Sequence, residues 1–283
     1  MPANTHTRLG FMQGRLSPLV DGRIQAFPWG CWQAEFSAAE AHDFDLMEWT
    51  LDQDLLYSNP LLTETGRTEI ATLRAEHGIR IGSLTGDCFM QSPFWKADAA
   101  HGEQLEEDFR AVARACSAVG IVMMVLPLVD NGSLTTRAQE ERLVDVLQAN
   151  APLLAELGVQ VVFESDFPPA DLARFIDRLE PSLFGVNYDI GNSAGLGMRP
   201  AEEIAAYGHR IVNVHIKDRV LGGTTVPLGT GSADFESVFA ALAKAGYRGN
   251  YILQTARAQD GDHAGTLCRY RDMAAAWIER HGA

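Results

Sequence analysis

Four short stretches of this chain each end an apolar run on a group that can bind a cation: Glu164 in "VVFES", Asp189 in "VNYDIGN", His215 in "VNVHIKD" and Gln254 in "YILQT". Two carboxylates, an imidazole and an amide oxygen form a donor set for one divalent ion. The oxygen-rich set favours Mn²⁺, Mg²⁺ or Co²⁺ and is also compatible with Zn²⁺. Taken singly, each of these residues reads as a helix cap or an ion-pair partner. Their recurrence at the same end of four consecutive runs points to a common site.

That convergence requires elements that bring distant runs side by side. Eight short apolar or β-branched runs alternate with longer helix-period segments: 9–14, 45–51, 79–84, 121–127, 159–165, 183–189, 211–217 and 250–255. The runs are continuously apolar, as strands covered on both faces are, and strict alternation with helices implies a parallel sheet. Amphipathic segments such as 102–120 and 135–158 lie between them, and Gly78, Gly120, Gly158 and Gly246 precede strands where helices should close. Eight such repeats predict a closed (β/α)8 barrel, in which consecutive strand ends are neighbours on one rim. No G-x-G-x-x-G follows the first run, which weakens the dinucleotide-fold alternative. The long irregular stretches 15–31 and 85–101 fall on the C-terminal side of strands, where barrels keep their active sites.

Composition narrows the function classes. The 283 residues fit one α/β barrel, read here as a single domain over 1–283 with residues 1–8 as a short N-terminal tail. A net charge of −14 repels polyanions, so nucleic acid and anionic lipid are not expected partners. Cys31, Cys88, Cys116 and Cys268 form no C-x-x-C pair and read as free thiols. The start "MPANTHTR" has no apolar signal core, and no apolar stretch approaches the roughly 18 residues that span a bilayer. A cytoplasmic protein is the expectation.

Other rim positions carry a functional and a structural reading side by side. Lys217 shares the strand parity of His215 and is a candidate cation for substrate oxygens. Asp218 is either a catalytic acid or the group that orients a ligand, and Glu48 and Asp166 are alternative acids. Asn192 either binds sugar or shapes a turn, while Arg257 and Arg15 suit a phosphate or carboxylate, or a surface ion pair. Trp29 and Trp32, with Phe27, are candidates for an apolar wall against the substrate, and Gln13 in "FMQG" completes the substrate-binding set. For "LGTGSADF" (228–235) a tight turn with Ser232 capping the next helix is favoured over a phosphate cradle. His77 and His209 suit helix C-termini and are given no chemistry.

The motifs "FMQGRLSP", "FES", "YDIGN", "VHIKDR", "LGTGSADFESVFAAL" and "YILQTAR" together resemble the xylose isomerase-like TIM barrels, in the sugar phosphate isomerase/epimerase group that includes tagatose 3-epimerase-like and hydroxypyruvate isomerase-like enzymes. The resemblance implies a metal held by Glu164, Asp189, His215 and the strand-eight position, with two glutamates exchanging protons with the substrate carbon. It also implies a small sugar or sugar phosphate as partner and, since members often self-associate, a homo-oligomer. Gln254 departs from the pattern. An amide can offer its oxygen to a metal, but it cannot accept and return a proton at neutral pH. The expected activity is isomerisation or epimerisation by proton removal next to a carbonyl, through an enediolate, with Glu164 as ligand and general base. The alternatives are a lyase of the inosose dehydratase type, for which one base suffices, and a non-catalytic sugar-binding relative.

Overall fold

The apolar runs pair side by side because each is covered on both faces. β1 (Leu9–Met12), β2 (Leu46–Thr50), β4 (Met123–Leu128) and β6 (Phe184–Asp189) are buried at every residue, as parallel strands inside an α/β protein should be. With β3 (Arg80–Thr85), β5 (Gln160–Ser165), β7 (Ile211–Ile216) and β10 (Asn250–Leu253) they close a barrel in the order β1-β10-β7-β6-β5-β4-β3-β2. The computed structural model describes residues 8–282, so residues 1–7 of the expected tail lie outside the described residues. The expected (β/α)8 architecture is what the chain adopts.

Ten α-helices are present among the described residues: α1 (Ala34–Ala41), α2 (Glu64–His77), α3 (Asp87–Gln91), α4 (Ala99–Val119), α5 (Arg137–Leu157), α6 (Pro169–Ile176), α7 (Ile190–Leu196), α8 (Pro200–Tyr207), α9 (Phe235–Lys244) and α10 (His263–His281). Gly78, Gly120 and Gly158 terminate α2, α4 and α5 with φ of 69°, 78° and 64°, a left-handed conformation that glycine adopts without a Cβ penalty. Pro127 sits inside β4, but β4 pairs with β3 only as far as Val125, so its missing N–H costs that ladder nothing.

Three local features depart from the expectations. The stretch 85–101 holds the short helix α3 and the start of α4. A two-stranded antiparallel hairpin, β8 (Asp218–Arg219) with β9 (Thr225–Val226), follows β7. The cap of α9 is Asp234, whose carboxylate accepts from the Ser237 amide; the Ser232 hydroxyl accepts from the Leu221 amide instead. The four cysteines are free. Among the described residues no helix is long and apolar enough to cross a membrane.

Strand parity divides the core in two. Outward residues pack on the helices, as in Phe163 with Phe175 of α6, and Tyr251 with Phe239 of α9. Inward residues fill the barrel, with Met12, Leu46 and Ile252 in one group and Met123, Val125 and Val162 in another. Gly10 is required here, since a Cβ would stand 2.6 Å from the Leu46 carbonyl oxygen. Beside these apolar groups lies a belt of buried polar side chains that hydrogen-bond to one another. Ser83 donates to Glu48 at 2.6 Å, and Asn213 donates to Glu48 at 3.2 Å and to Asn187 at 2.9 Å. This belt supports the rim residues.

Candidate active site

Asp189 is the last residue of β6, and Glu164 and His215 are next to last in β5 and β7, all with inward parity. Ladder pairing places Asp189 opposite His215. One ligand atom from each of the three lies within 4.8 Å of the others, and all three residues are buried. His215 Nδ1 is 3.2 Å from Glu164 Oε2 and 3.9 Å from Asp189 Oδ2, while its Nε2 is 2.8 Å from Glu48 Oε1. Neither ring nitrogen has a well-directed hydrogen bond. Orphaned buried nitrogen beside two carboxylates is the arrangement a cation would resolve, and this donor set fits a divalent ion.

The electrostatics agree. Burial alone would lower the His215 imidazole, but the carboxylates of Glu48 and Glu164 outweigh it and hold the group up at about 10. Burial pushes the other way on Glu164, where His215 and Lys217 win and keep the carboxylate below its usual range. Both Glu164 oxygens are also held by amides: Asn187 donates to Oε2 at 3.2 Å, and Asn192 donates to Oε1. Glu164 is thus kept ionised and oriented. Asn192 is itself fixed, its backbone N–H donating to Asp189 Oδ1 at 2.8 Å and its side-chain oxygen accepting from Arg219 at 2.9 Å.

A cavity of about 610 Å³, of a size for a small ligand, is lined by Glu164 of this cluster, while Asp189 and His215 stand behind its wall. Its lining includes Glu164, Asn192, Lys217, Arg219 and Gln254, together with Gln25, Thr85, Asp87 and Met90. Lys217 Nζ lies 2.6 Å from Asp189 Oδ2 and donates to Gln254 Oε1 at 2.9 Å. The amide oxygen expected to face a metal is therefore turned to an ammonium group. The other end of the amide, Gln254 Nε2, donates to Gln25 Oε1 at 2.9 Å.

The remaining candidates are placed differently. Glu48 is fully buried behind His215 and does not line the cavity. Asp218 accepts from the amides of Gly229, Gly231 and Ala233 at 2.9, 2.8 and 3.1 Å. It clasps the 228–235 turn, and those amides are satisfied without a phosphate. Asp166 accepts from the Ser133 hydroxyl at 2.5 Å and does not line the cavity either. Arg257 donates to the carbonyls of Gly14 and Ser17, and Arg15 to those of Thr255 and Ile24, so both arginines brace the loop after β1. Trp32 and Phe27 pack with Trp49, and Trp29 caps Phe27 edge-on; none of these rings lines the cavity. Gln13 is fully buried, accepting from the Thr50 amide at 3.2 Å.

Asp87, Gln25 and Arg219 are cavity residues that sequence reasoning missed. Asp87 stands two residues past the end of β3, as the first residue of α3, so a reading of strand ends does not reach it. Gln25 lies in an irregular loop with no periodicity to mark it.

Residues 36–278 match the family model described as "Xylose isomerase-like TIM barrel", and the chain belongs to that family. Among curated proteins, L-ribulose-5-phosphate 3-epimerase UlaE of Salmonella paratyphi C (strain RKS4594) is 27% identical over 269 residues, covering 91% of this chain and 94% of its own. Two solved structures share the fold. A xylose isomerase-like TIM barrel protein from Mycobacterium smegmatis in complex with magnesium superposes with a TM-score of 0.71 at 18% identity, covering 99% of each chain. D-allulose 3-epimerase from Methylomonas sp. in complex with D-allulose gives 0.70 at 20% identity, covering 96% of this chain and 95% of the other.

Proposed function

We propose that the protein is a metal-dependent isomerase or epimerase of a small ketose, polyol-derived ketone or ketose phosphate, working in a single barrel domain. It removes the proton beside the carbonyl and passes through an enediolate. The observation that carries this reading is that Glu164 belongs both to the buried Glu164–Asp189–His215 cluster and to the wall of the 610 Å³ cavity. Full-length similarity to a curated sugar phosphate epimerase supports it.

Glu164, Asp189 and His215 would hold the ion, and His215 must give up its proton to do so. When bound, a divalent ion supplies Lewis-acid polarisation of the substrate carbonyl. Mn²⁺, Mg²⁺ or Co²⁺ suits the carboxylate-rich set, and Zn²⁺ is compatible with it. Glu164, ionised and held by Asn187 and Asn192, accepts the proton from carbon. Lys217 presents its ammonium group to the cavity, where it balances negative charge developing on a substrate oxygen. Arg219 lines the same wall as a second cation.

Gln254 favours a second reading, a lyase in which Glu164 alone moves a proton and a leaving group resolves the intermediate. One experiment separates the two. The Mn²⁺-loaded protein is incubated in D₂O with L-ribulose 5-phosphate, D-allulose and a set of other ketoses, ketose phosphates and inososes, and products are followed by NMR. Deuterium on the carbon beside the carbonyl of an isomeric product is the expected result. A dehydrated product identifies the lyase, and no turnover of any compound removes the catalytic reading.

A further inference from the structure

An enzyme that inverts a carbon needs a group to return the proton, and Gln254 cannot supply one. Both ends of its amide are engaged, with Lys217 and with Gln25. The bond to Gln25 leads further. Gln25 Oε1 also accepts from Arg15 Nη2 at 3.3 Å, which leaves its Nε2 to donate to Asp87 Oδ2 at 2.5 Å. The orientation of the Gln25 amide is fixed by its partners, and it ends on a carboxyl group in the cavity wall.

Asp87 is the first residue of α3, 7% exposed, and lines the same cavity as Glu164. Its Oδ1 has no hydrogen bond, and no cation pairs with Asp87 among the described residues. Around the barrel, β3 and β5 are separated by β4, so Asp87 and Glu164 enter the cavity from strands that are not neighbours. Burial pushes the Asp87 carboxyl up to about 7; Gln25 opposes this, the charges of Asp52 and Glu164 add to it, and Arg15 opposes it again. Such a carboxyl can carry a proton near neutrality. Asp52, its nearest acidic rival, does not line the cavity and is occupied by the Phe27 amide and Gln91.

Resting on the epimerase reading above, we propose that Asp87 is the second proton-transfer group of the site, the acid that protonates the carbon from the side opposed to Glu164. Glu164 takes the C–H proton, and the bonding pair becomes the C=C bond of the enediolate. That pair then forms a new C–H bond with the proton of the Asp87 carboxyl, which is left as carboxylate. Glu164 returns its proton to solvent and Asp87 regains one, so no oxidant or co-reactant is consumed. In the reverse direction the two carboxyls exchange roles.

The test uses the Mn²⁺-loaded full chain in D₂O with whichever ketose or ketose phosphate the wild type turns over. The Asp87→Asn variant keeps the acceptor for Gln25. It should still exchange deuterium into recovered substrate, while epimer formation falls about 10²-fold or more. Glu164→Gln should lose both. The wild-type rate of epimer formation should fall above a pH of about 7, where Asp87 loses its proton, and this fall should be absent in Asp87→Asn. If Asp87→Asn does not fold, Asp87→Glu is read instead, with epimer formation and the alkaline fall expected to be retained. Epimer formation by Asp87→Asn within a few-fold of wild type overturns the proposal, as does loss of exchange and product together at unchanged melting temperature. An inert wild type instead overturns the epimerase reading on which it rests.

Discussion

Along the arc from β5 to β7, Glu164, Asp189 and His215 stand on the barrel strands themselves, whereas from β10 round to β3 the linked groups Gln254, Gln25 and Asp87 lie in the loops and the short helix beyond the strand ends. Glu164, Asp189 and His215 face inward because alternate strand residues do, and the buried asparagines and Glu48 behind them fix their orientation. On the other arc Gln254 is joined to Asp87 only through Gln25, which is contributed by the irregular stretch after β1. The first arc concentrates charge and suits an ion. The second is a string of amides that orients one carboxyl group, the one proposed above to return the proton. On the proposals above, one rim divides metal binding from proton return between a strand-built half and a loop-built half.

Glu164→Gln should break the first arc most severely. Removal of a ligand and a base together is expected to lower kcat by about 10² to 10⁴ or more, measured by NMR with saturating Mn²⁺. Glu48→Gln should act less, because it removes the charge behind His215 but leaves the cluster in place. A metal affinity weaker by about 10 to 100-fold, with kcat at saturating Mn²⁺ little changed, is the expected calorimetric and kinetic outcome.

The second arc is sharpened by a smaller effect on stability. The Asp87 carboxyl has a folded pKa of about 7 against an ordinary 3.8, so its protonated form favours folding. That contribution is fully present below about pH 4 and is lost as pH rises through about 7. Asp87→Asn should therefore melt close to wild type at pH 4 and at a higher temperature at pH 8, by differential scanning calorimetry of the metal-free proteins. Equal melting temperatures at both values would show that Asp87 is well solvated.

The same division explains what was legible in the sequence. Strand runs and helix-closing glycines carry periodic signals, so the eight strands, the closed barrel and the residues Glu164, Asp189 and His215 could be read directly. Asp87 stands after a strand run but continues into the short helix α3, where strand parity no longer applies, and Gln25 has no pattern around it. Trp29 and Trp32 illustrate the converse. Aromatic residues in a rim loop fit a substrate wall by composition, yet here Trp32 packs on Trp49 and Trp29 on Phe27 of its own loop. Asp218 follows His215 by three residues, but its oxygens reach the amides of a turn whose path only the fold defines.

The metal cradle proposed for the strand-built arc is tested most directly by anomalous diffraction from crystals of the protein grown with Mn²⁺. A single peak bounded by the carboxylates of Glu164 and Asp189 and by His215 Nδ1, lost in the Glu164→Gln variant, is the predicted result. No peak there at saturating Mn²⁺, with His215 still lodged between Glu48 and Glu164, would contradict it.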